Sequence, residues 1–382
     1  LSFSIVFILP VAVLALAGCA SRRAAAPPPL PPGLTRPARD AGAAARMVEL
    51  HVDALPSTER IRVARDMGYF PRSVVTRSGA IVIVFRAGAG HVGAGGALMA
   101  TRSGDAGRTW SAPVVAIDEP DCDDRNPALG VAADGTLVLA YWANRRHRPG
   151  ARTGAGFVYS RDDGRSWSKP VVAPAGAPWS GFSPFGRMLT LPGGRMALPL
   201  YLRNRTWLVR SDDQGRTWGD PTLVAEDMNE TAYAVLPSGE WVLVGREANG
   251  HGNFSLVRWS ADEGRTWSPP VPFLVNRRLP SDLAILSDGS LFAVHGYRTI
   301  PRGVRAVRSI DGGRTWSRTD LIVHDKAERN TDCGYPSVEV LDGWVVISFY
   351  DASNAPDDKS DPTGAFLEVV RIRESEILKH VR

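Results

Sequence analysis

Ser103-Gly104-Asp105-Ala106-Gly107-Arg108-Thr109-Trp110 is the first of five copies of one pattern, Ser-x-Asp-x-Gly-x-(Thr/Ser)-Trp. The others span Ser160–Trp167, Ser211–Trp218, Ser260–Trp267 and Ser309–Trp316, so the pattern returns every 49 to 57 residues. Self-similarity at such a period marks a repeat architecture, and strand-rich sequence between copies points to a propeller. Each residue type has a physical task. The Gly permits positive φ in a tight turn. The Asp accepts backbone N–H bonds within that turn. The Trp supplies a large apolar body that packs between adjacent sheets. Chemistry needs one site, so five equivalent aspartates are read as structural.

This pattern resembles the Asp box of the sialidase superfamily, and the resemblance spans nearly all of the chain after about residue 47. Between the copies runs a second motif of strand, tight Gly turn and strand. It occurs six times: Arg72–Arg86, Pro127–Trp142, Arg187–Tyr201, Thr231–Arg246, Asp282–Gly296 and Pro336–Tyr350. Turns such as Asp134-Gly135 and Asp288-Gly289 are hairpin signals. Five of these hairpins continue into a third strand and an Asp box; the sixth continues into Ala365–Arg371 and is one strand short. The alternating segment Met47–Val52 is expected to supply the missing strand, which would join the chain ends and remove a free sheet edge. The expected fold is therefore all-β: a six-bladed β-propeller of four-stranded antiparallel blades over residues 47–373, closed by an N-terminal strand, with 374–382 as a C-terminal tail.

The 382 residues carry a net charge of +5. Arg supplies nearly all of the basic residues, but no basic run interleaved with aromatics marks a nucleic-acid surface. Anionic small ligands suit this pattern better. Residues 2–17 are almost wholly apolar and lead into Leu16-Ala17-Gly18-Cys19, which resembles a bacterial lipobox. Residues 1–19 are thus expected to be a signal peptide, with Cys19 lipidated as the membrane anchor. Ala20 in place of Asp favours the outer membrane, on its periplasmic or surface side. Residues 20–46, rich in Ala, Pro and Arg, read as a disordered tether. Cys122 and Cys333 remain, either as a disulfide or as free thiols.

In a propeller all first strands start on one rim and all second strands end there. Polar residues at those positions, among them Arg72, Arg86, Asp123, Asp124, Arg125, Glu230, Arg246, Asp282, Arg298, Asp332 and Tyr335, should converge on the axis, away from the Asp boxes. The resemblance then implies roles. Glu230, at the start of a first strand, and Arg246, at the end of its partner, match a Glu and an Arg that line the sialidase active site. Tyr335 matches the place of the family's tyrosine nucleophile. Sialic acid carries a carboxylate on its anomeric carbon, so a neutral Tyr deprotonated by Glu avoids the repulsion a carboxylate nucleophile would meet.

The family also holds the substrate carboxylate with three arginines, since guanidinium stays charged and donates bidentate bonds. Arg246 fits the second place, and Arg302 is the first candidate for the third, with Arg298 and Arg305 competing. The first place departs: the family writes Arg-Ile-Pro, whereas this chain reads Tyr69-Phe70-Pro71-Arg72. Arg72 stands beyond the proline, with Asp124 and Arg125 as further substrate contacts. The loop that carries the family's acid/base Asp reads Ala87–Gly96 here, and His91 is its one titratable group. A His serves as acid and base near neutral pH. Asp123 or Asp124 are the alternatives.

No metal-ligand spacing, phosphate loop or Gly-x-Ser-x-Gly elbow is present, and no metal or cofactor is expected. The expected function is an exo-glycosidase acting on glycans with a terminal acidic sugar, a sialic acid or related ulosonic or uronic acid. The alternatives are a non-catalytic glycan-binding propeller and a lyase or other glycosidase on the same fold.

Overall fold

In the computed structural model, residues 47–382 are described, except 94, 146–152, 175, 249–253, 275–276 and 328. The signal peptide, Cys19 and the tether lie outside the described residues. Six antiparallel sheets form the blades of one propeller. Blade one comprises Tyr69–Val75, Ile81–Ala87, Ala97–Ser103 and Val114–Ile117; blade four comprises Met228–Val235, Trp241–Glu247, Ser255–Ser260 and Val271–Pro272. Blades two and five follow the same plan, and in blade three the first strand is broken into Ser183–Pro184, Gly186–Arg187 and Leu189–Thr190. Second strands read as near-continuous apolar runs because both faces are covered by neighbouring blades; Ile81–Ala87 and Trp344–Asp351 are buried throughout.

The ring closes with an N-terminal strand, but not the expected one. Glu59–Arg65 pairs antiparallel with Phe366–Arg373 and completes blade six. Val48–His51 instead lies parallel on Thr319–Ile322, as an extra outer strand of blade five. Glu59–Arg65 reads Glu-Arg-Ile-Arg-Val-Ala-Arg, a charged sequence that suits an outermost strand. Its Arg60 and Arg62 pair with Glu368 on the neighbouring strand, at 3.0 and 3.1 Å. Residues 374–382 are no loose tail: Glu374–His380 forms a helix, and Ile377 and Val381 are buried with Val52, Leu55 and Leu286.

All five Asp boxes make one set of bonds. In each, the Ser Oγ accepts the Gly N–H at 2.7–2.9 Å, and the Thr or Ser hydroxyl donates to the Asp at 2.6 Å. Burial would raise the Asp105 carboxyl, but the bonds from Thr109 and Ser103 outweigh it and hold the group at about 2. Gly107, at φ +84°, leaves no room for a Cβ, which would sit 3.0 Å from Val346 of the adjacent blade. The boxes are therefore turns that fit one blade against the next, as the sequence reading assigned them.

Candidate functional site

The first strands of blades one, two, four, five and six each break register near their start. The breaks fall between Tyr69 and Arg72, Arg125 and Ala128, Asn229 and Ala232, Arg278 and Ser281, and Gly334 and Ser337. In four of them the residue inside the bulge is left-handed: Phe70 at φ +54°, Asn126 at +51°, Glu230 at +47° and Tyr335 at +45°. A non-Gly residue in this region costs about 1–3 kcal/mol, so the surrounding structure must enforce it. A bulge re-aims one side chain out of the pleat's alternation. Repeated around the ring, it brings one residue from each of these blades toward a common centre. Three of the four precede a proline (Pro71, Pro127, Pro336), a signal the sequence carried but which alternation alone does not interpret.

At that centre the Tyr335 hydroxyl donates to Glu230 Oε1 at 2.7 Å, and Arg246 Nη1 donates to Glu230 Oε2 at 3.1 Å. Arg298 lies over the Tyr335 ring, 5.8 Å from its centroid, and donates to the carbonyl of Thr331. Burial pushes the Tyr335 hydroxyl well above the ordinary phenol value; Glu230 adds to this, while Arg298 and Arg246 oppose it. The phenol therefore holds its proton and donates it in the bond to Glu230. Phe70, Phe185, Tyr201 and Tyr350 wall this group, with Phe70 and Tyr335 edge to face at 5.0 Å. Arg125 Cζ stands 5.5 Å from the Phe70 centroid, and Asn126 donates to the Tyr201 hydroxyl at 3.1 Å. Burial, then the Glu230 charge, raise Tyr201 to about 12.

His91 joins the same aromatic group, edge-on to Phe70 at 5.0 Å. Its Nδ1 is 2.8 Å from Asp332 Oδ1, and the Tyr350 hydroxyl donates to that same oxygen at 2.6 Å. The glycines of its loop serve packing. A Cβ on Gly90 would meet the Lys359 carbonyl at 2.5 Å, and one on Gly96 would meet the Arg86 guanidinium at 2.3 Å. Arg86, wholly buried, donates to the carbonyls of Ala89, Gly90 and Gly93 and pairs with Asp123 at 2.5 Å. Gly90 and Val92 also bond across to Ser360 and Lys359 of blade six. The loop is thereby tied down on two sides around His91. Asp332 appeared among the convergent residues, but nothing in the sequence linked it to a loop 241 positions away.

Two expected substrate contacts, Arg72 and Asp124, sit elsewhere. Arg72 is 2% exposed; past the bulge it turns beneath the site, donates to the Pro336 carbonyl at 3.0 Å and stacks on Phe185 at 4.4 Å. Asp124 alternates with Asp123 and faces the other way, accepting the Glu119 N–H at 2.7 Å beside Cys122; burial, outweighing that bond, lifts it to about 6. Arg302 lies at the start of a third strand, in register with Ala327, where its charge favours ionisation of the Cys333 thiol against burial, and Arg298 of the same blade lies over the Tyr335 ring. Arg305 is bound to Asp320 and Glu49. Cys122 and Cys333 are free and buried, so the possible disulfide is not made. Among the described residues, Glu119, Cys122 and Asp124 alone group donor atoms with metal-ligand spacing, and Arg145 already occupies Glu119 at 2.5 and 2.7 Å.

A family model described as a BNR repeat-like domain matches residues 115–347. Among solved structures, a protein of unknown function from Dyadobacter fermentans is similar at 24% identity and a TM-score of 0.69, over 84% of this chain and 100% of that one. A mutant of the NanB sialidase from Streptococcus pneumoniae aligns at 12% identity and 0.65, over 84% of this chain and 71% of the other. Trypanosoma rangeli sialidase in complex with sialic acid aligns at 17% identity and 0.62, over 87% of this chain and 61% of the other. At these identities the likeness establishes the propeller fold.

Proposed function

This chain belongs to the BNR repeat-like domain family of the sialidase superfamily, and we propose that it is an exo-glycosidase that removes a terminal acidic sugar from a glycan. The observation that carries the reading is the 2.7 Å bond from the Tyr335 hydroxyl to Glu230, with Arg246 on the second carboxylate oxygen. In this mechanism Tyr335 Oη attacks the anomeric carbon and Glu230 Oε1 takes its proton. The bond from the anomeric carbon to the leaving oxygen breaks, and His91 gives that oxygen a proton. Water then attacks the anomeric carbon and gives its proton to His91, the bond from that carbon to Tyr335 Oη breaks, and Glu230 returns the first proton to that oxygen. A neutral nucleophile suits an anomeric carbon bearing a carboxylate, and Arg246, Arg298 and Arg125 are the guanidinium groups suited to bind that carboxylate.

Tyr69 stands where the sialidase pattern has its first arginine, and aromatic rings wall this side of the pocket. That supports an acidic sugar bound with a changed arginine set, a related ulosonic or uronic acid as well as sialic acid. The lipobox-like Leu16–Cys19 supports an envelope-anchored enzyme. The test is a panel of 4-methylumbelliferyl glycosides of sialic, other ulosonic and uronic acids. Turnover of one member, abolished by Tyr335→Phe, is the expected result. Glycan binding without turnover would make this a binding propeller, and an unsaturated product would make it a lyase.

A further inference from the structure

We propose that Asp332 is the positioning residue of His91: it fixes the imidazole with the proton on Nδ1 and leaves Nε2 as the nitrogen that exchanges protons with the glycosidic oxygen. The inference rests on the glycosidase reading and concerns one residue more than it needs. Asp332 Oδ1 lies 2.8 Å from His91 Nδ1 and accepts the Tyr350 hydroxyl at 2.6 Å. Burial opposes ionisation of Asp332, but the bond and charge of His91, the bond from Tyr350 and the Arg298 charge overcome it and hold the carboxyl below its ordinary value. An ionised carboxylate only accepts, so Nδ1 must carry the hydrogen. Among the described residues no protein group bonds His91 Nε2, and the side chain is about a quarter exposed, at 26%.

The surroundings hold this arrangement. Arg86 binds three carbonyls of the loop, and the loop's other side is bonded to residues 359 and 360. Asp332 is itself oriented, since its N–H bonds Asn330 Oδ1 at 2.7 Å and its carbonyl accepts the Ala352 N–H at 2.9 Å. Phe70 and Tyr69 set the plane of the ring from two sides. A carboxylate behind a histidine selects the tautomer and stabilises the imidazolium formed during proton transfer. His91 enters glycoside cleavage as the imidazolium, with Nδ1–H held by Asp332, and its Nε2–H gives its proton to the leaving oxygen as the bond to the anomeric carbon breaks. In the second half the neutral Nε2 takes a proton from the attacking water. Each proton given is returned, and Asp332 itself gains none.

Two measurements test this. Long-range 15N–1H correlation on the wild-type protein reads the tautomer without any substrate: Nδ1–H is expected for neutral His91, with a shift toward Nε2–H in Asp332→Ala. A wild-type Nε2–H tautomer overturns the proposal. With the substrate found by the glycoside panel, Asp332→Ala should lower kcat by ~10²–10⁴-fold on a natural glycoside and much less on an activated aryl glycoside, whose leaving group needs little protonation. Asp332→Asn keeps an acceptor without the charge and should fall between. The double variant His91→Ala/Asp332→Ala should be no slower than His91→Ala alone, because residues acting as a unit are non-additive. If His91→Ala is slow only on the natural glycoside and Asp332→Ala is fast on both, this inference fails while the reading of His91 stands. If His91→Ala itself is fast on both, the role of His91 fails first.

Discussion

Arg86 in blade one and Arg246 in blade four occupy the same place in the repeat. Each is the penultimate residue of its blade's second strand and stands opposite the residue just before the bulge, Tyr69 in one case and Asn229 in the other. Their fates are opposite. Arg246 is 34% exposed and bonds one oxygen of Glu230 through one of its nitrogens. Arg86 is 0% exposed and wholly engaged by Asp123 and the loop carbonyls. The repeat sets where a guanidinium begins, and the loop that follows decides what it meets. After Arg86 the loop turns back over the guanidinium on glycines that admit the close approach. One arginine therefore builds the frame that holds His91, and the other remains available to a ligand.

The sharpest way to break this contrast is at the carboxylate that Arg246 serves. On the proposed glycosidase reading, Glu230→Gln should lower kcat by ~10²–10⁴-fold, the loss of a general base, with an unchanged unfolding midpoint. A large loss of stability in that variant would make blade four structural like blade one. Next, Arg86→Ala should destabilise the fold by about 3–5 kcal/mol, because it takes from the buried Asp123 its closest partner and leaves it only Arg125, at 3.6 Å. Urea denaturation measures this, and a change under about 1 kcal/mol would show that the loop does not depend on Arg86. Arg246→Ala should do the reverse. Its stability should stay within about 1 kcal/mol, as for partly exposed pairs, while kcat/KM falls by roughly 10–150-fold, the worth of a hydrogen bond to a charged group.

A stability effect read only through pH lies in blade five, where Arg278 precedes the bulge and is bound to Asp320 at 2.8 and 2.9 Å, with His295 at 3.1 Å. Burial, then the Arg278 charge, depress His295 from 6.5 to about 3, against an opposing pull from Asp320. Between those values the unfolded chain binds a proton there that the folded chain refuses. Stability is therefore retained above pH 6.5 and falls on acidification toward pH 3, by up to about 1.4 kcal/mol per pH unit. His295→Asn should flatten that part of the stability–pH curve in denaturant titrations. An unchanged slope would assign the acid limb to other groups.

Much of the architecture was legible because it is local and repeated. Five Asp boxes and six Gly hairpins set the blade number, since each signal sits within eight to sixteen residues and needs no partner elsewhere. Closure was legible only in kind. An N-terminal strand had to complete blade six, but Met47–Val52 and Glu59–Arg65 both offer alternation, and only packing against Phe366–Arg373 selects the more charged of the two. Glu230, Arg246 and Tyr335 could be named because the resemblance to the sialidases gives a role to their places in the repeat. The misplacement of Arg72 shows the limit, because a single bulge between Tyr69 and Arg72 reverses which side chains reach the pocket.

By itself, then, the sequence determined the blade count, the separation of the Asp boxes from the axial rim, and the Glu–Tyr–Arg set carried by blades four and six. The tertiary structure decided which of several arginines face that rim, that Asp124 faces away from it, and that His91 meets Asp332. The physical reason is range. Turn chemistry and strand alternation act between residues a few positions apart, so they are written in the order of the chain. Hydrogen bonds across the ring join residues more than a hundred positions apart, as Glu230 joins Tyr335. They depend on bulges and loop paths that only the packed blades enforce.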